Sequence, residues 1–239
     1  MDGILLVDKP AGWTSHDVVA KVRRILRHQV DGGQFVVDSE KLKTKTYELK
    51  PIKVGHTGTL DPFATGLLVL VVGSYTKRAQ EFSKLDKTYE AEITLGATST
   101  TGDIEGEITP KSGQKPTEMA IREVLGQFEG QIEQTPHAYS AVKIGGQRAY
   151  KLARQGKEVK LEPRQVKVYR LEVLGYGYPK LKIVTEVSSG TYVRSLAGDI
   201  GEKLGTGAYL SALRRTEVGQ YSVNQAVSLD SDLLEHLAK

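Results

Sequence analysis

Ile4, Leu5, Leu6 and Val7 form an apolar run after Gly3, which predicts a short strand ending in the turn Asp8-Lys9-Pro10-Ala11-Gly12. Val18, Val19, Val22, Ile25 and Leu26 then fall on one helical face, with Lys21, Arg23, Arg24 and Arg27 elsewhere, so a helix is expected from Ser15, its N-cap, to about His28. Residues 29–53 keep no period and are rich in Lys, Gly and Thr, which reads as an insertion or long loop. Leu67–Val72 is a continuous apolar, β-branched run and predicts a buried strand. Tyr75–Leu85 reads as helical. Lys87–Gly96 alternates, with Tyr89, Ala91, Ile93 and Leu95 on one face and Glu90, Glu92 and Thr94 on the other.

Thr98–Gly106 reads as a polar turn. Thr117 caps a helix to Phe128, and Arg148–Gln155 is a short helix stopped by Gly156. Strands at Val166–Leu174 and Leu181–Val187 flank the hairpin-like Gly175-Tyr176-Gly177-Tyr178-Pro179. Gly190–Leu204 opens as strand or turn and becomes helical, Tyr209–Val218 is extended, and a short helix is expected around Asp232–Leu237. This order predicts an α+β fold around a mixed, largely antiparallel sheet, with residues 1–239 forming one domain.

The segment Gly55-His56-Thr57-Gly58-Thr59-Leu60-Asp61-Pro62-Phe63-Ala64-Thr65-Gly66 cannot be an interior helix, because it holds three glycines and a proline. Pro62 drives Asp61 into an extended backbone. A carboxylate is thereby held on a stiff loop at the mouth of a buried strand. The same residues also suit an Asx-turn, with the carboxylate bonded to neighbouring amides.

Composition narrows the chemistry further. The chain has 239 residues, 39% hydrophobic and 26% charged, with no cysteine. There is thus no disulfide or thiolate metal site, and the composition suits the cytoplasm. The five histidines form no His-x-x-x-His pair, so no metal or other cofactor is expected. No apolar run approaches the ~18 residues of a membrane span. The net charge of +4 is unevenly spread: residues 143–170 hold nine basic side chains, among them Lys143, Arg148 and Arg154, against Glu158 and Glu162. A local +7 suits a surface that tracks a phosphate backbone.

The Gly55–Gly66 string resembles the nucleophile motif of the pseudouridine synthases of the bacterial TruB type, which act on tRNA. Several further motifs match in order between Gly3 and Tyr221. Lys9-Pro10-Ala11-Gly12-Trp13-Thr14-Ser15 is similar to the family's N-terminal motif, and Lys87-Thr88-Tyr89-Glu90-Ala91 to its Lys-x-Tyr-x-Ala motif. Gln134–Tyr150 resembles a third, with Ser-Ala-x-Lys in register, and Gly190-Thr191-Tyr192-Val193-Arg194 a fourth.

The resemblance implies the pseudouridine synthase fold with a central cleft and the isomerisation of uridine 55 in the tRNA T-loop, without a guide RNA. It implies Asp61 as nucleophile, at C1′ or C6, Arg194 as its ion-pair partner and Tyr89 stacked on the target base. Tyr192 and Leu213 would line the uracil pocket, and His56 would contact the RNA around the vacated position. Read by itself, Arg194 suits a strand end that caps carbonyls or meets Glu186. Lys143, Arg148 and Arg154 are the candidates for RNA backbone contact. The chain departs from the family in two ways. The small C-terminal RNA-binding PUA domain of most bacterial members is expected to be absent after Lys239. Residues 29–53 are also longer than the usual link, and their lysines, including Lys41, Lys43, Lys45, Lys50 and Lys53, are expected to meet RNA.

Overall fold

The computed structural model describes residues 1–31, 52–137, 140, 142–156, 159 and 161–229. Most of the 29–53 insertion, with Lys41, Lys43, Lys45 and Lys50, lies outside the described residues, as does the helix expected around Asp232–Leu237. In chain order the elements are β1 (Gly3–Lys9), α1 (Ser15–Asp31), β2 (Val54–His56), β3 (Thr65–Val72), α2 (Ala79–Ser83), β4 (Lys87–Leu95), β5 (Ala97–Ser99), β6 (Ile108–Pro110), α3 (Glu118–Gly126) and β7 (Gly130–Gln134). There follow β8 (Lys143–Ile144), β9 (Gln147–Arg148), α4 (Ala149–Arg154), β10 (Arg164–Gly177), β11 (Lys180–Val187), α5 (Val193–Lys203), β12 (Ala208–Val218) and β13 (Tyr221–Ser222).

The principal sheet runs β1-β3-β12-β4-β11-β10-β7, with β2 added to β3 and β13 to β12. Every pairing in it is antiparallel except one. Strands β12 and β3 run parallel and meet only at Arg214–Thr65 and Arg215–Gly66. The sheet is therefore weakly laced at its middle, where the Gly55–Gly66 segment leaves it. Gly66 has φ +100°, and a Cβ there would collide with the Arg215 carbonyl. Gly66→Ala is expected to cost about 1–3 kcal/mol in backbone strain alone, measured as a lowered urea midpoint, because that φ suits only glycine.

Apolar side chains explain both flanks. The alternation in β4 places Tyr89, Ala91, Ile93 and Leu95 against Leu196, Ala197 and Ile200 of α5 and Ile121 and Leu125 of α3. Val18, Val19, Val22 and Leu26 of α1 cover Leu68, Leu70 and Val72 of β3. Strand β3 is buried on both faces, since Leu67, Val69 and Val71 pack on Phe82 and Val218. Its unbroken hydrophobic run follows from that.

Several expectations are corrected. Val54–His56 is a strand on β3, so His56 sits in the sheet and not in a loop. Tyr75–Leu85 splits into a 3₁₀ turn over Gly73–Arg78 and the short α2. Gly175–Gly177 continues β10, through a bulge after Val173, up to the tight turn before Lys180. Ser15 does not cap α1: Thr14 and Asp17 exchange side chain-to-backbone bonds there, as in a capping box. The polar turn over Thr98–Gly106 includes β5, which pairs with β6 in a hairpin.

Candidate active site

Asp61 emerges on a loop anchored at almost every step. The Thr57 amide and hydroxyl both donate to the Val69 carbonyl, at 3.1 and 3.2 Å. Ser15 Oγ accepts from the Leu60 amide at 2.8 Å and lies 3.0 Å from its carbonyl. Lys9 is fully buried, and its Nζ donates to the carbonyls of Pro10, Trp13 and Pro62. Burial above all brings its pKa down to about 8, while Asp61 and Glu105 oppose the shift. The Gly12 amide also donates to the Pro62 carbonyl. The turn closes through the Ala64 amide on the Asp61 backbone carbonyl. Among the described residues no backbone amide reaches the Asp61 carboxylate, so the Asx-turn alternative does not hold. The side chain faces Arg194.

Arg194 lies in the first turn of α5, not on a strand end. Its Nε is 3.2 Å from Asp61 Oδ2, and its Nη1 is 2.8 Å from Asp103 Oδ2. Nη1 also donates to the Thr101 carbonyl at 3.2 Å. Exposure falls along this row, from 33% at the Asp61 side chain to 6% at Arg194 and 1% at Asp103. Asp103 is fixed in turn by the Thr101 hydroxyl and the Glu105 amide. One buried guanidinium thus joins a locked carboxylate to a reachable one. Burial, reinforced by Asp103, raises the Asp61 pKa above its usual 3.8, while Arg194 and Lys9 work against the shift.

Sequence reasoning missed Asp103, Ser15 and Gln134. Gln134 grips the residue before α5 from both sides: its Oε1 accepts from the Tyr192 amide and its Nε2 donates to the Tyr192 carbonyl. Tyr192 itself is half-buried. Tyr89 and Leu213 share one buried cluster with Leu60 and Ala64, beside the Asp61 loop. Leu213 also lines a groove of ≈ 270 Å³ with Phe63, Thr65 and Arg214, which Asp61 does not reach.

His56 packs edge-on against His16, at 5.4 Å between ring centroids, and its Nδ1 is buried without a partner. Burial first, then His16, Arg215 and Arg148, lower its pKa to about 4, so it is neutral at pH 7. Arg148 is exposed on β9. Lys143 and Arg154 lie in β8 and α4, but their side chains are outside the described set, as are residues 157, 158 and 160 of the basic segment. Among the described residues no group of His, Asp and Glu could hold a metal ion, and no helix is long and apolar enough to cross a membrane.

Residues 43–193 match the family model described as TruB family pseudouridylate synthase (N terminal domain), and residues 194–239 match that of the tRNA pseudouridylate synthase B C-terminal domain. The border between the two falls inside α5, and strands from both sides share the principal sheet. A curated relative from Mycobacterium sp. (strain KMS), tRNA pseudouridine synthase B, is 44% identical over 96% of this chain and 71% of its own length. The protein of that name from Aquifex aeolicus (strain VF5) is 44% identical over 98% of this chain and 74% of its own. Among solved structures, a Cbf5-Nop10-Gar1 complex aligns at TM-score 0.68 and 31% identity, covering 95% of this chain and 52% of that one. An archaeal box H/ACA sRNP Nop10-Cbf5 complex aligns at TM-score 0.65 and 29% identity, covering 98% and 53%. The chain spans about half the length of these solved chains.

Proposed function

The chain belongs to the TruB family of pseudouridylate synthases, and from that premise we propose that it isomerises uridine 55 to pseudouridine in the T-loop of tRNA, without a guide RNA. The observation that carries this reading is the Asp61–Arg194–Asp103 row, in which the one carboxylate left open to a substrate is held by a buried cation. In the reaction the C1′–N1 bond breaks, a C1′–C5 bond forms, and the proton on C5 is lost as N1 gains one. Nothing is oxidised or reduced.

Asp61 is the nucleophile, at C1′ or C6. Arg194 holds its charge in a pocket where burial opposes ionisation. The target uridine is stacked inside a folded loop, so it is swung out at a cost of a few kcal/mol. Tyr89 presents its ring to the extruded base, Tyr192 and Leu213 border the base, and neutral His56 meets the RNA beside the vacated position. Lys143, Arg148 and Arg154 supply charge to the tRNA backbone. The protein then works in the cytoplasm.

Incubating the purified chain with an unmodified tRNA transcript and mapping pseudouridine tests this. Product with the transcript alone is the expected result. The H/ACA neighbours make a guide-dependent enzyme the competing reading, which requires product only after guide RNA is added. Binding without product in either arm contradicts both.

The pH dependence follows from the Asp61 environment. The ionised carboxylate is the reactive form, so kcat falls as pH drops through a pKa lying above 3.8, about tenfold per unit below it. Asp103 is one of the causes of that raised value. In Asp103→Asn the acid limb of the kcat profile is expected to move to lower pH.

A further inference from the structure

We propose that Arg215 is a positioning residue for the isomerisation, a buried strut that sets the path of the Asp61 loop; this rests on the functional reading above. Arg215 is 2% exposed at the middle of β12. Its Nε donates to the Leu67 carbonyl at 2.7 Å, and its Nη2 to the Gly58 carbonyl at 3.1 Å. Those two carbonyls stand on either side of Asp61, one in the loop and one in the strand that the loop enters. The β12–β3 ladder ends at the Arg215–Gly66 pair. Beyond it the guanidinium takes over from the missing ladder bonds. Thr57 and Leu60 have anchors of their own, but between them the bond to Gly58 is the only tie among the described residues.

Its setting is unusual for a residue serving only to pack. Among the described residues no carboxylate pairs with this guanidinium, and burying an uncompensated charge is costly where an apolar side chain would fill the space. What arginine supplies is a rigid fork that spans two acceptors at once, which the single ammonium of lysine cannot reproduce. Its charge also reaches the site, as one of the causes that hold His56 neutral. A nucleophile displaced by about 1 Å can lose on the order of 100-fold in rate, so loosening one side of the loop registers in kcat.

The test compares wild type, Arg215→Lys and Gly58→Ala on an unmodified tRNA transcript, with kcat, KM and melting temperature measured for each. Arg215→Lys keeps the charge and loses the bridge; kcat is expected to drop about tenfold or more, with KM within about twofold. Gly58→Ala keeps Arg215 but sets a Cβ 3.4 Å from its Nη1. A smaller loss of about threefold in kcat is expected, again with KM unchanged, and this variant stands in if the first does not fold. A folded variant that retains wild-type kcat overturns the proposal, as does a loss that only tracks the unfolded fraction or appears in KM. A wild-type chain that makes no pseudouridine overturns the functional reading, and the proposal with it. An active wild type with unaffected variants overturns the proposal alone.

Discussion

Arg194→Met is expected to cost about 3–5 kcal/mol of stability and to abolish turnover. Among the described residues Arg194 is the one cation that touches both Asp61 and Asp103. Methionine keeps much of the apolar volume and removes the charge. Asp103, 1% exposed, would then keep the Thr101 hydroxyl and the Glu105 amide as its hydrogen-bond donors among the described residues. Removing one partner from a buried ion pair leaves the other with its full desolvation cost. Denaturant unfolding measures the loss directly. The double variant Arg194→Met/Asp103→Asn should recover much of it, because the stranded charge is gone; coupling of that kind is what a double-mutant cycle isolates. Activity should not return, since Asp61 still lacks its cation. A single variant within about 1 kcal/mol of wild type would mean that the row contributes little to the fold.

Asp61→Asn should separate catalysis from stability in the opposite direction. Burial raises the pKa of Asp61, so its ionised form is disfavoured in the folded state. A carboxylate with a raised folded-state pKa stabilises below its unfolded pKa, and that contribution is lost as pH rises through the folded value. At pH 7 the wild-type side chain therefore opposes folding, and a neutral amide of the same shape relieves it. Arg194 keeps Asp103 as its partner. The variant is expected to melt no lower than wild type and to bind tRNA, while turnover drops by about 10⁴-fold or more, as for other removed nucleophiles. A lower melting temperature at pH 7 would contradict this account of the Asp61 environment.

Much of the frame was legible because its signals are local. The alternation through Lys87–Gly96 and the apolar run of β3 each predict a strand without knowledge of its neighbours. The motifs around Asp61 and Arg194 are continuous strings, and the structure brings the two side chains together. What escaped depends on partners distant in sequence. Thr100-Thr101-Gly102-Asp103 looks like turn chemistry, and a turn it is, yet Asp103 points inward to a guanidinium 91 residues away. Ser15 carries a cap signal, but Thr14 takes the cap and the Ser15 hydroxyl goes to Leu60, 45 residues on. Val54–His56 is too short to show a period, and only its pairing with β3 makes it a strand. Arg194 is placed by motif order rather than by local pattern, since Gly190–Leu204 reads as strand or turn at its start and as helix only further on.

A single-turnover time course of pseudouridine formation, with saturating enzyme on a bare tRNA transcript, tests the central claim most directly when wild type and Asp61→Asn are run side by side. Wild type is expected to convert one uridine of the T-loop to completion, while the variant binds the same RNA and stays flat. Conversion by the variant within about tenfold of the wild-type rate, far short of the loss that removing a nucleophile brings, would contradict it.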